Sequence, residues 1–179
     1  MRLGPTLLRS ARRDDLAGDA GLSGRLDPID RKILNELQAD ASLAIQELGD
    51  RGGLSTNPCW RRIKRMEEAG VIERRVAIIN PQALGLGATV FVSIRTNKHN
   101  REWLDTLAAG VEQIPEIIEC HRMSGTVDYL LKVVVRDIAH YDDVYQRLIK
   151  QVPGLEDVSS TFSMERVKFS TAIDAVRCA

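Results

Sequence analysis

The apolar positions of the chain change period once, near Pro81. Before it the spacing is helical. Ile29, Ile33, Leu34 and Leu37 form one stripe, preceded by Asp27 as an N-cap with Pro28 at the first helical position. Asp40–Ser42 break that helix. A short second helix is predicted from about Ile45 to Asp50, with Ile45 and Leu48 turned inward, and Gly52 and Gly53 make a turn. Ser55 caps a third helix in which Cys59, Ile63 and Met66 recur at i, i+4 and i+7, and Gly70 closes it. Val71–Ile79 reads as a strand, ended by Asn80–Pro81.

After Pro81 strands and helices interleave. Ala88–Arg95 alternates as a strand. Arg101–Gln113 is helical, with Trp103, Leu104, Leu107 and Val111 on one side. Ile117–Met123 and Tyr129–Val135 are strands joined by a turn at Gly125. Ile138–Gln151 is a helix, and Val158–Val167 is a last strand. The order β-α-β-β-α-β is the ferredoxin-like arrangement. Its helices cover one sheet face, so something must cover the other.

Composition narrows the class. The chain has 179 residues, 44% of them hydrophobic, which is enough aliphatic surface to exclude a wholly disordered protein. A membrane span is excluded because Lys132 interrupts the longest apolar run well short of the ~20 residues required. Cys59, Cys120 and Cys178 are odd in number and far apart, which argues against a disulfide scaffold and suits a reducing cytoplasm.

Charge totals cancel, with 25 basic and 25 acidic residues, but their distribution does not. Arg61, Arg62, Lys64 and Arg65 crowd four cations onto the third helix. Three short helices ending in a basic one are the pattern of a helix-turn-helix DNA reader. Gly49 stands where close approach is needed, and Gly53 supplies the sharp turn. The pattern assigns Ser55, Thr56, Asn57, Trp60, Arg61, Arg62, Lys64 and Arg65 to the DNA side. Thr56 and Asn57 can donate to phosphates or base edges, and Arg61 can meet guanine bidentately. Arg62, Lys64 and Arg65 are expected on the phosphate backbone. Gly52 is a weak point, because an apolar residue there would help the core.

Other chemistries find no support. Cys120 and His121 are strand neighbours that point to opposite faces, so they cannot act as a nucleophile–base pair. Hydrolase, nucleotide and dinucleotide motifs are missing, the His and Cys spacing does not suit zinc, and no cofactor is expected. RNA reading by the second domain is disfavoured, since its third strand carries one aromatic.

Three segments, Leu26–Leu37 (LDPIDRKILNEL), Gly53–Val71 (GLSTNPCWRRIKRMEEAGV) and Cys120–Lys132 (CHRMSGTVDYLLK), resemble the Lrp/AsnC family of bacterial and archaeal transcription regulators. The NPCW run, HRMSG and Val158–Lys168 are most similar to the subgroup that senses L-cysteine. The resemblance implies an α+β protein: an N-terminal winged helix-turn-helix followed by a C-terminal ferredoxin-like βαββαβ ligand-binding domain. It also implies homodimers paired through sheet faces, further assembly to tetramers or octamers, double-stranded DNA as partner, and a small amino acid bound between neighbouring dimers. Such a regulator is expected in the cytoplasm, on the nucleoid when bound to DNA.

By position, the resemblance places the effector at Met123, Ser124, Gly125, Thr126, Asp128 and Tyr129, with Asp128 facing an α-ammonium group. It adds Ile138, Thr161, Phe162 and Ser163. Many members carry an acid where Thr126 stands, so the usual contact set is incomplete here. The expected organisation is a flexible tail at 1–25, a DNA-binding domain at 26–75, a linker strand and turn at 76–87, an effector and oligomerisation domain at 88–173, and a tail at 174–179. The early arginines of the first segment make a DNA-touching arm its alternative role. A ligand-independent DNA-binding protein of the same fold is the alternative function, and a metabolite sensor without DNA function leaves the basic helix unused.

Overall fold

The computed structural model describes residues 26–176; the expected tail at 1–25 lies outside the described residues. The chain divides into two compact units, one holding Ile79–Val167 and the other the preceding helices together with Lys168 onward.

The helical unit has α1 (Pro28–Ala39), α2 (Ile45–Gly52) and α3 (Thr56–Glu68). Asp27 and Asp30 close a reciprocal capping box at the start of α1: each carboxylate accepts the other's backbone N–H, at 2.8 and 3.1 Å. Ile33, Leu37, Leu48, Cys59, Ile63 and Met66 make one buried core, so the helical spacing read from the sequence is the spacing that packs.

The turn into α3 depends on two glycines. Gly53 has φ 71°, the left-handed conformation that favours glycine. A Cβ on Gly49 would lie 2.8 Å from the Leu54 carbonyl oxygen, so the turn backbone fills the space a side chain needs. Gly52 is different: a Cβ there would meet only Ile33 Cγ1, at 3.7 Å, an ordinary contact. Gly52→Ala is therefore expected to stabilise the unit by about 0.5–1 kcal/mol through helix propensity. A urea midpoint unchanged or lowered, followed by Trp60 fluorescence, would contradict it.

Two sequence expectations are corrected. Residues 71–79 form no strand, and Val76, Ile78 and Ile79 are exposed, because no neighbouring strand of the described chain offers them a ladder. Ser55 occupies the N-cap position of α3 with extended backbone, but its hydroxyl makes no capping bond.

The second unit is a four-stranded antiparallel sheet in the order β2-β3-β1-β4, from β1 (Ala88–Arg95), β2 (Ile117–Arg122), β3 (Tyr129–Val135) and β4 (Asp157–Phe162). Helices α4 (Arg101–Glu112) and α5 (Ile138–Gln151) cover one face. Beneath them Val90, Val92, Ile94, Leu131 and Val133 form the core with Trp103, Leu107, Val144 and Leu148. The last strand is shorter than the sequence predicts. Ser163 N–H still reaches the Thr89 carbonyl at 2.9 Å. Beyond Met164, which the register sets opposite Ala88, the chain has passed the first residue of β1.

After β4 the chain returns to the helical unit. Gln38 pairs with the backbone of Ile173 through both amide atoms (2.9 and 2.7 Å), and Arg31 donates to the Ala175 carbonyl at 2.6 Å.

Candidate nucleic-acid interface and effector site

The outer side of α3 carries Thr56, Asn57, Trp60, Arg61, Lys64 and Arg65, all exposed. Ser55 stands exposed at the same end, with its hydroxyl available to a ligand. The first turn of α3 holds no acid, so nothing there repels a phosphate from the helix N-terminus. Lys64 Nζ lies 5.2 Å from the Trp60 ring centroid, a cation–π contact that steadies both, and 3.7 Å from Glu68. Arg61 makes no hydrogen bond or ion pair among the described residues, which leaves its guanidinium available to a partner.

Arg62 and Arg65 are placed otherwise than the sequence suggests. Arg62 turns toward α1, where one of its nitrogens, Nη1, sits 2.5 Å from Asp27 and 2.8 Å from Asp30. Arg65 remains half-exposed, yet its Nη2 lies 2.5 Å from the second oxygen of Asp30. The Asp30 side chain is completely buried. The bond from Asp30 N–H, and then Arg62, hold the Asp27 carboxyl below its ordinary value. The bonds to Asp30 and Asp27 raise the Arg62 guanidinium in turn. Stripping a buried carboxylate of its cation costs about 3–5 kcal/mol, whereas an exposed ion pair contributes about 0–1 kcal/mol. Arg62 therefore stays on Asp30. Sequence reasoning missed this cluster, although Asp30 at the third position after the Asp27 cap was a visible signal.

The expected effector residues fall into two groups. The hairpin between β2 and β3 holds the first. Met123 N–H bonds the Asp128 carbonyl (2.8 Å), Asp128 N–H bonds Ile94 (2.9 Å), and Gly125 adopts φ 126°. Ser124, Gly125 and Thr126 are exposed. One Asp128 oxygen accepts the N–H of buried Thr96 at 2.9 Å, and the other faces His99 Nδ1 at 4.0 Å. Thr96 in turn donates to the Gly154 carbonyl. Asp128 thus offers one oxygen outward while the other is held by backbone. Tyr129 does not face this space: its ring is buried against Trp103, with centroids 5.5 Å apart, and burial pushes its phenol up.

The second group lies at the opposite end of the sheet. Tyr129 pairs with Ile94, but Phe162 pairs with Val90. Four residues along a strand span about 13 Å, longer than a small amino acid reaches. Ile138, in the first turn of α5, is exposed at that far end. Thr161 and Phe162 point to opposite faces, and Phe162 packs edge-on to Tyr141 at 5.3 Å. Ser163 is tied to Thr89. Within one chain, therefore, the two groups do not surround one ligand.

No metal-holding group of three or more His, Cys, Asp or Glu occurs among the described residues, and no helix there is long and apolar enough to cross a membrane. Burial pushes the Cys120 thiol up to about 11, so it stays protonated and weakly nucleophilic at neutral pH.

Comparison with known proteins matches both units. Residues 26–73 fit the model described as winged helix-turn-helix DNA-binding, and residues 89–173 fit the Lrp/AsnC ligand binding domain. The chain is 45% identical over 148 residues to the DNA-binding transcriptional activator DecR of Escherichia coli K12, covering 83% of this chain and 97% of that one. It is 48% identical over 149 residues to the glutamate uptake regulatory protein of Zymomonas mobilis, covering 83% and 90%. A crystal structure of an AsnC family transcriptional regulator from Agrobacterium tumefaciens superposes with TM-score 0.79 at 53% identity, covering 83% and 96%. These relatives are regulators, not enzymes.

Proposed function

This chain belongs to the Lrp/AsnC family of transcription regulators, and from that premise we propose that it reads a DNA site with α3 and answers L-cysteine through its sheet domain. Family membership makes it a DNA-binding transcription regulator with an amino-acid-binding domain. The finer reading rests above all on Arg61, a guanidinium with no partner among the described residues, projecting from a helix whose first turn lacks acids. Thr56, Asn57 and Trp60 flank it toward the bases, and Lys64 reaches the phosphate backbone.

L-cysteine as effector is supported by the subgroup resemblance of the NPCW, HRMSG and Val158–Lys168 segments. The two separated groups of effector residues are reconciled when one copy supplies the 123–128 hairpin and another supplies Ile138 and Thr161–Ser163. Ligand and assembly are then linked: the amino acid bridges copies, and the bridge sets the spacing of recognition helices. The basic unit is a homodimer paired through the sheet face that α4 and α5 leave open. Dimers assemble further to a tetramer or octamer, acting on the nucleoid. Residues 26–75 do the reading and 88–173 the sensing.

The test is a gel shift on DNA upstream of the protein's own gene, with L-cysteine, alanine or leucine added. A specific shift altered by cysteine alone supports the whole reading. A specific shift indifferent to cysteine removes the effector, and no specific shift removes that DNA target. Arg61→Ala is expected to weaken specific binding by about 1–3 kcal/mol and relax one base preference. Lys64→Ala is expected to weaken all sequences alike and flatten the salt dependence by about 0.9 per lost contact. Unchanged isotherms would take either side chain off the interface.

A further inference from the structure

We propose that Asp30 is the positioning residue of the recognition helix: its buried carboxylate holds Arg62 and Arg65 on the protein side, so that of the four cations only Arg61 and Lys64 are left to meet DNA. The proposal rests on the DNA reading of α3 given above and adds which of its cations are spent inside the protein.

The geometry is specific. Asp30 Oδ1 takes Arg62 Nη1 at 2.8 Å, and Oδ2 takes Arg65 Nη2 at 2.5 Å. Oδ2 also accepts Asp27 N–H at 3.1 Å, and Asp27 Oδ2 takes the same Arg62 nitrogen at 2.5 Å. Two acids and two arginines make a neutral cluster linking the first turn of α1 to the middle of α3. The Asp30 side chain has no exposed surface, so water cannot replace a departing arginine, whereas every phosphate contact of the helix forms at an exposed surface. Trading the first for the second is unfavourable. Four cations read from the sequence therefore act on DNA as two. The same bonds orient α3, because Arg62 and Arg65 lie one turn-edge apart and are gripped by one rigid carboxylate.

The test is the salt dependence of binding by the full chain to a labelled duplex of random sequence. Arg65→Ala is expected to leave the slope of log K against log salt unchanged, while Lys64→Ala flattens it by about 0.9 per protomer. Asp30→Asn keeps an acceptor for Asp27 N–H but frees a cation. It is expected to steepen the slope by about the same 0.9 per protomer and tighten binding at low salt. The double variant Asp30→Asn/Arg65→Ala is expected to return to the wild-type slope. A role in stability alone would lower the unfolding midpoint without moving any slope.

The proposal is overturned if Arg65→Ala flattens the slope as Lys64→Ala does, or if folded Asp30→Asn keeps the wild-type slope. Should Asp30→Asn not fold by circular dichroism, the Arg65→Ala and Lys64→Ala pair decides the matter. Wild-type binding that ignores salt, with Arg61→Ala and Lys64→Ala without effect, overturns the DNA reading itself.

Discussion

Arg62→Ala is expected to destabilise the helical unit by about 3 kcal/mol, the scale for a buried carboxylate left without its main cation. The loss arises from Asp30, which is fully buried and would keep Arg65 as its one cation, and from Asp27, which would lose its ion-pair partner and keep the Asp30 N–H. Urea unfolding followed by Trp60 fluorescence measures it. Adding Asp30→Asn should recover much of the loss, since a neutral amide does not need the missing cation, and the two substitutions should couple strongly. Simple addition of the two penalties would contradict the assignment. Acid should act in the same direction. Asp27 is held below its ordinary value of 3.8, so its contribution is present above that value and is lost as pH falls through the folded one. The gap between wild type and Arg62→Ala should therefore narrow below about pH 4.

Asp128→Asn is expected to abolish the effector response while leaving DNA binding in its absence intact. The amide still accepts Thr96 N–H through its oxygen, so the hairpin keeps its shape, but the charge proposed to meet an α-ammonium group is gone. The coupling at stake is about 1–3 kcal/mol. Asp128→Ala is a harsher change. It strands the N–H of buried Thr96, at a further cost of about 1–3 kcal/mol, and mixes lost response with lost stability. Titrating cysteine against the DNA complex of Asp128→Asn reads the effect directly. A response at wild-type ligand concentration would move the ammonium site away from Asp128.

Much of the architecture was legible because it is local. The Asp27–Pro28 start, the Gly53 turn, the inward Cys59, Ile63 and Met66, and the alternation of Val90, Val92 and Ile94 all follow from spacing within one element. The exposed outer side of α3 was legible too, as far as Thr56, Asn57, Trp60, Arg61 and Lys64. The exceptions are side chains whose partners come from elsewhere. Arg62 and Arg65 look like phosphate contacts in a basic run, and only the approach of α1, 32 and 35 residues earlier, turns them inward. Phe162 looks like a neighbour of Thr161 in a ligand pocket, and the pleat separates them.

By itself the sequence determined where the helices and the four sheet strands begin, which face of each is apolar, and to which family the chain belongs. Those depend on the conformational preferences and spacing of near neighbours. Tertiary structure alone decided that residues 71–79 lack a ladder, that 173–175 return to α1, that two of the four cations of α3 pair with Asp30, and that the expected effector residues fall at two ends of one sheet. Each of these is an encounter between segments far apart in the chain. Pairing, burial and ion contact exist only once such segments meet, so no spacing within either one records them.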